Sequence, residues 1–307
     1  MRKYVQKDQP AAWPDSAGLT DELSPKQVAL ALGVSEASLK RWCDKGLLSS
    51  TRTAGGHRRI ARGSVMQFLR ERNQPPVRPE LLGLPTATGQ GEWTSTRVLE
   101  EVEFALEAGN EAQLRLTVLN FYLAGHSVSE MCDTLLTPAF HHIGTNWEHG
   151  KTEIFQERRA CEICMRLLHE LRTRMPTVAN ASPFAIGGSL QNDPYSLAPT
   201  MAELVLRESG WEAENFGVNI PVGSFCAAVA THKPRLLWIS VGYIADETAF
   251  ISDMATLFAA VRKHGGALAL GGRGVTPEVR KSVQYSVFCE SFRDLASFAE
   301  ALRSPTS

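Results

Sequence analysis

The chain has 307 residues, is 43% hydrophobic and 8% aromatic, and carries 32 Lys/Arg against 33 Asp/Glu, a formal net charge of −1. This is ordinary globular composition in a length that implies two or three folded units. No run of eighteen apolar residues occurs and the N-terminus lacks an apolar signal core, which argues against a membrane span or export and for a cytoplasmic protein; six cysteines over this length do not make a disulfide framework.

In chain order, residues 1–20 read as a disordered tail. The segment from 21 to 73 then carries the clearest pattern. Ser24-Pro25 is an N-cap followed by proline at the first helical position, and Val28, Ala29 and Leu32 form an apolar stripe at helical spacing. Gly33-Val34 turns the chain and Ser35 caps a second helix. In that helix Ala37 and Leu39 are expected inside, while Ser38, Lys40 and Arg41 stay outside and Trp42 joins the core. After Lys45-Gly46, the Gly55-Gly56 pair marks a tight hairpin followed by His57, Arg58, Arg59 and Ile60. A helix-turn-helix with a basic wing presents donors to a major groove from the second helix and cations to phosphates from the wing. Charge supports this reading: Ser24 to Asn73 holds ten Lys/Arg and three Asp/Glu, about +7, so the remainder carries about −8. A basic face of this kind is rewarded on DNA by counterion release. The alternative is a solvated basic surface.

Residues 23–72 resemble the DNA-binding domain of MerR-type transcription regulators. The resemblance implies DNA contact by the recognition helix and the wing, which falls on Ser38, Lys40, Arg41, Arg52, His57, Arg58 and Arg59. Trp42-Cys43 stands where the family has a pair of aromatics.

Residues 74–92 hold Pro75-Pro76, Pro79, Pro85 and several glycines, and read as a linker without regular structure that lets the head move independently. From 93 to 177 the periodicity is helical, with helices near 95–108, 111–124, 128–143 and 153–175, the pattern of a four-helix bundle. Leu116, Leu119, Phe121 and Leu123 supply one stripe, and Ile163, Leu167, Leu168 and Leu171 another. Cys161 and Cys164 lie on helical spacing as core-facing thiols. His141, His142, His149 and His169 lack partners at metal-ligand spacing and read as surface residues. After Pro176, residues 178–307 alternate short apolar runs with helices: 184–190, 200–209, 212–216, 236–241, 250–263 and 267–270. Strands alternating with crossover helices make a doubly wound parallel sheet, in which ligands sit beyond the carboxyl ends of the strands. Those ends are the loops at 191–197, 240–245 and 271–275. The pairs Gly187-Gly188 and Gly271-Gly272 resemble phosphate loops but lack a Walker lysine and a complete Gly-x-Gly-x-x-Gly.

A MerR-type head followed by a bundle and a doubly wound domain resembles the CarH and CarA light-responsive or cobalamin-responsive repressors over nearly the whole chain. That family carries Asp/Glu-x-His-x-x-Gly, then Ser-x-Leu, then Gly-Gly. Here the first loop is Asp193-Pro194-Tyr195-Ser196-Leu197-Ala198; Ser240-Val241-Gly242 follows after 41 residues and Gly271-Gly272 after 28 more. The spacing agrees, but Tyr195 replaces the histidine that ligates cobalt, Ala198 the glycine and Gly242 the leucine. In the bundle, the family's tryptophan and Glu-His fall on Trp147 and Glu157-Arg158, with arginine in place of histidine. A neutral imidazole backed by a carboxylate such as Asp193 is a good metal ligand, whereas a phenol with a pKa of about 10 must first lose its proton. For Trp147 plain packing, and for Glu157-Arg158 a local surface ion pair, stand as alternatives.

The resemblance implies a DNA-binding transcription regulator, a repressor and not an enzyme, acting on a double-stranded operator as a homo-oligomer (dimer or tetramer), with a protein antirepressor as a further partner. The cofactor stays unassigned, cobalamin being disfavoured because Tyr195 replaces the axial histidine. The alternatives are a corrinoid-binding photoreceptor or sensor with non-standard axial ligation, and a corrinoid carrier related to methyltransferase modules.

Overall fold

A computed structural model of the chain describes residues 22–89, 95–150, 152–177 and 182–303; the tail expected at 1–20 lies outside them. The head opens with β1 (Glu22–Leu23), α1 (Pro25–Leu32) and α2 (Glu36–Asp44), continues through β2 (Ser50–Arg52) and β3 (Arg58–Ala61), and closes with α3 (Arg62–Arg72). Its three strands pair antiparallel in the order β1-β3-β2. The helix starts follow from their caps. Ser24 Oγ accepts from Gln27 N at 3.3 Å while the Gln27 side chain accepts from Ser24 N at 3.0 Å, a reciprocal capping box. Gly33 ends α1 with φ at +67°, a left-handed conformation that glycine adopts without strain. Leu39 is fully buried and Trp42 packs on Phe68 with ring centroids 5.0 Å apart. Ala37, expected inside, is exposed: the inner face of this short helix is taken by Leu39, Trp42 and Cys43.

The stretch from 74 to 89 is not structureless. Val77 N and Arg78 N donate to Ala31 O, a 3-10 turn forms at Pro79–Leu82, and Leu82, Leu84 and Thr88 are buried. Prolines suit this turn because it starts on one and needs few ladder hydrogen bonds. The head is consequently docked. The Gly63 backbone lies so close to α8 (Ile154–Arg174) that a Cβ there would stand 2.4 Å from Met175 O. Arg174 donates to Leu82 O at 3.1 Å and Gly83 O at 2.7 Å, and it shares Glu170 with Arg115.

The bundle comprises α4 (Ser95–Ala108), α5 (Glu111–Leu123), the run α6 (Val128–Met131) to α7 (Thr137–Glu148), and α8. The third helix continues through Pro138 and runs past 143 to Glu148. A π turn at Cys132–Leu136 widens the backbone ahead of the proline, whose missing N–H and ring an α-helical turn accommodates poorly. Cys164 is fully buried, as a core-facing thiol requires, whereas Cys161 is only partly buried and donates to Glu157 Oε1 at 3.4 Å, with burial pushing its pKa up to about 12.

The sheet domain alternates β4 (Phe184–Gly188), α9 (Leu197–Glu208), β5 (Glu212–Asn215), α10 (Val222–His232), β6 (Leu236–Ser240), α11 (Glu247–Lys263), β7 (Ala267–Gly271), α12 (Pro277–Ser282), β8 (Val287–Cys289) and α13 (Phe292–Arg303). Five parallel strands in the order β5-β4-β6-β7-β8 form a doubly wound sheet whose strand order reverses between β4 and β6. Apolar periodicity alone does not mark α10, α12, β8 and α13. One buried apolar cluster runs from Leu23 in the head through the bundle to Ala299 in α13, and a second lies on the far face of the sheet. No described helix is long and apolar enough to cross a membrane.

Candidate nucleic-acid interface and ligand cavity

The head places Lys40, Arg52, His57, Arg58 and Arg59 around one cleft of about 640 Å³ between α2 and the wing. Lys26 at the start of α1 lines it too, a position that the charge count includes but the recognition-helix pattern does not single out. Ser38 and Arg41 lie outside the cleft on α2. There Arg41 Nη2 donates to Ser38 Oγ at 3.1 Å, and Ser38 Oγ accepts from Ser35 Oγ at 3.0 Å, so the cap steers the arginine. The hairpin closes with Gly56 N on Thr53 O at 2.8 Å and Arg52 Nη1 on Gly56 O at 3.2 Å.

Arg58 differs from the other wing cations. It donates to Lys40 O at 3.1 Å and to Asp44 Oδ1 at 2.6 Å, with its side chain only 17% exposed. The Asp44 carboxylate raises the Arg58 pKa further. The guanidinium fork is thus spent on tying the wing to the second helix, a bidentate role that lysine does not match.

The second site is a cavity of about 530 Å³ where the α6–α7 run faces α9 and the carboxyl ends of β6, β7 and β8. Tyr195, Ala198, Ser240, Gly242, Gly271 and Gly272 line it, so three loops distant in sequence meet as their spacing implies. Trp147, Glu157 and Arg158 do not. Trp147 is 49% exposed, and Arg158 forms a 3.4 Å ion pair with its neighbour Glu157. Asp193 is buried and lines a smaller adjoining cavity. Its carboxylate accepts from Tyr195 N at 3.1 Å and Gly242 N at 2.7 Å. Burial raises its pKa, and the amides of Gly242, Tyr195 and Tyr243 partly offset that rise.

Tyr195 and Gly242 are matched. A Cβ on Gly242 would stand 2.6 Å from Tyr195 Cδ2 and 2.9 Å from its Cβ and Cγ, so the tyrosine occupies the space that a leucine would need. On the next loop Gly272 has φ +117°, and a Cβ there would meet Val241 O at 2.2 Å. Gly187, grouped above with phosphate-type glycines, serves packing instead: its Cβ would fall 2.0 Å from the Trp238 ring. Trp238 is 2% exposed, lines the cavity, and its Nε1 has no hydrogen-bond partner among the described residues. Neither Trp238 nor Asp133 was marked by the loop spacing. Asp133, in the π turn, accepts from Phe292 N at 2.9 Å and Arg293 N at 3.0 Å, holding the start of α13 against the cavity. Among the bundle histidines, His142 pairs with Glu103, His149 Nδ1 lies 2.7 Å from Thr145 O, and His141 lines the cavity.

Residues 22–73 match the helix-turn-helix domain family, and residues 98–172 match the B12 binding domain family. No curated protein sequence matches the chain. A helix-turn-helix DNA-binding domain and a B12-binding domain therefore share one chain, the combination that the resemblance to the cobalamin-domain repressors implies. The monomethylamine corrinoid protein of Methanosarcina barkeri is 14% identical, with a TM-score of 0.57 over 68% of this chain and 100% of that one. At that identity the likeness concerns the fold: bundle followed by parallel sheet. A cobalamin-binding protein from Desulfitobacterium hafniense DCB-2 is 15% identical, covering 66% of this chain and 98% of that one, with a TM-score of 0.37.

The loop at 193–198 offers no imidazole to a corrinoid: Tyr195 is a phenol packed on Gly242, and the carboxylate of Asp193 is committed to backbone amides. The imidazole that does line the cavity, His141, comes from the bundle, and Arg158, paired with Glu157, lies outside the lining. The cavity itself is lined mainly by apolar groups.

Proposed function

We propose that this protein is a MerR-type transcription repressor of the cytoplasm that binds a double-stranded operator as a dimer or tetramer, with its B12-type module retained as a scaffold and its axial histidine chemistry lost. The observation that carries the reading is the pairing of a basic cleft on α2 and the wing with a cobalamin-type loop set in which Tyr195 has taken the space of the missing leucine. A single short recognition helix reads too few base pairs for specificity, and paired half-sites multiply it. Lys40, Arg41, Arg52, His57 and Arg59 face DNA, with Ser38 orienting Arg41 and Arg58 bracing the wing. Control passes through the apolar cavity or through a protein antirepressor.

Two measurements test this. Gel-shift titration of the full chain against fragments of its own promoter region is expected to give a specific complex that Arg41→Ala weakens. Hydroxocobalamin and adenosylcobalamin titrations followed by visible absorption are expected to show no stoichiometric uptake at micromolar concentration and no light-dependent change in DNA affinity. Stoichiometric uptake with a spectrum that bleaches in light would overturn the assignment of the pocket.

A further inference from the structure

Glu208, the last residue of α9, belongs to neither site, yet it touches all three parts of the molecule. Its Oε2 accepts from Val128 N at 2.6 Å, at the first turn of α6 in the bundle. Its Oε1 lies 3.0 Å from Arg70 Nη2 on α3 of the head. Arg70 in turn donates to His126 O at 2.9 Å and sets its guanidinium carbon 3.9 Å above the buried Tyr122 ring. The side chains of Arg70 and Glu208 are only 17% and 22% exposed, so water screens the pair weakly. A carboxylate at the start of α6 also meets the positive end of that helix.

The other end of α9 is the ligand cavity. Leu197, Ala198, Met201 and Ala202 on its first turns line the pocket, and the loop that leads into it carries Asp193 and Tyr195. Twelve residues of α-helix make a stiff rod of about 18 Å. One end of that rod therefore walls the cavity while the other grips the DNA-binding head. The opposite end of α3 is held away from α9: Gly63 lies against Met175, Ser64 Oγ accepts from Ser49 N at 2.7 Å, and Arg174 holds the adjoining turn by the carbonyls of Leu82 and Gly83. A shift of α9 thus acts on one end of α3 and not on the other, which tilts the helix.

We infer that Glu208 is the positioning residue through which occupancy of the cavity is transmitted to the DNA-reading head, with α9 as the connecting rod and Arg70 as its receiver. This rests on the reading of the chain as a DNA-binding regulator, so its test does not use DNA. Spin labels are placed through unnatural amino acids at Ala54 in the wing and Lys281 in α12, both exposed, in the otherwise unaltered full chain. Glu208→Gln keeps a group able to accept from Val128 N but removes the charge that holds Arg70. It is expected to broaden the distance distribution and to raise the rate of tryptic cleavage after Arg72, at the end of α3, by about tenfold, a fold-change equivalent to ~1.4 kcal/mol of lost docking. Ala198→Trp serves as a covalent surrogate for an occupied cavity. It is expected to shift the label distance when Glu208 is present and to leave it unchanged in the Glu208→Gln background. A merely structural glutamate would lower the melting temperature without that dependence. An unchanged distribution in Glu208→Gln, or the same shift from Ala198→Trp in both backgrounds, would overturn the proposal. If Ala198→Trp fails to fold, the single Glu208→Gln variant still decides it. Failure of operator binding with the distances behaving as expected would instead overturn the functional reading alone.

Discussion

The head and the ligand loops both carry polar residues that the sequence marks, but the structure uses them in different ways. In the head the polar side chains that the pattern marks remain available: Lys40, His57 and Arg59 border one open cleft, and the caps at Ser24 and Ser35 hold the helices that present them. In the sheet domain the three loops meet at one cavity, while the side chains at the marked positions are engaged in packing and backbone hydrogen bonds. Tyr195 lies on Gly242 and Asp193 staples two loops. Spacing reports the fold of a loop set; only the contacts of each side chain report whether its chemistry is still offered.

The sharpest way to break this comparison is Gly242→Leu, which puts the family's leucine back. Because the new Cβ meets the Tyr195 ring, the variant is expected to lose about 2 to 3 kcal/mol in denaturant unfolding of the full chain. Adding Tyr195→Ala should recover most of that loss. Equal cost with and without the tyrosine would mean that the two positions are not paired.

Next in size is Arg41→Ala, expected to cost about 1 to 2 kcal/mol of specific operator affinity and to relax sequence preference, as loss of a base-edge contact does. A competition gel shift between operator and random duplex reads the ratio. A uniform loss on both duplexes would make Arg41 a phosphate contact instead.

The wing offers a finer distinction. Lys40→Ala is expected to reduce the slope of log K against log salt by about one, whereas Arg58→Ala should weaken binding with the slope nearly unchanged, because Arg58 already answers Asp44. Equal slope changes for the two would place Arg58 on a phosphate.

The smallest effect concerns pH at the docked head. Burial tends to raise the pKa of Glu170, but Arg115 and Arg174 outweigh it and hold the folded value below the ordinary one. Its stabilisation is therefore present above the unfolded carboxylate range and lost as pH falls through the folded value. Urea midpoints measured from about pH 5 down to about pH 3 should fall, and Glu170→Gln should flatten that slope.

Much of the fold was legible because local rules and global packing agree: Ser24-Pro25, Gly33, the Gly55-Gly56 hairpin and the spaced strand ends each have a local cause. What was not legible depends on partners remote in sequence. The prolines at 75–85 suggested a free linker, yet the turn at 79–82 is held by Ala31 before it and Arg174 far beyond it. The π turn ahead of Pro138, which lets the helix continue through the proline, leaves no mark in the apolar periodicity. Arg58 read as a free cation because Asp44 lies 14 residues away, across the cleft. Trp147 and Arg158 were drawn toward the pocket by spacing alone, but both sit on exposed helix ends. The Tyr195–Gly242 match was visible as two separate departures, and became one fact when the ring was seen to lie on the glycine.

The close approach of Gly63 to Met175 has a consequence for how such a protein is assembled or rebuilt. A domain joined through a bare tether can be exchanged like a cassette, but here the last helix of the head has been trimmed to glycine to fit one particular bundle, and Leu82 completes an apolar cluster shared by both. Grafting residues 22–73 onto a foreign sensor would leave that notch unfilled and the flank of α3 bare to water, while importing a different head would drive a Cβ into a carbonyl. In this chain reader and sensor have to change together.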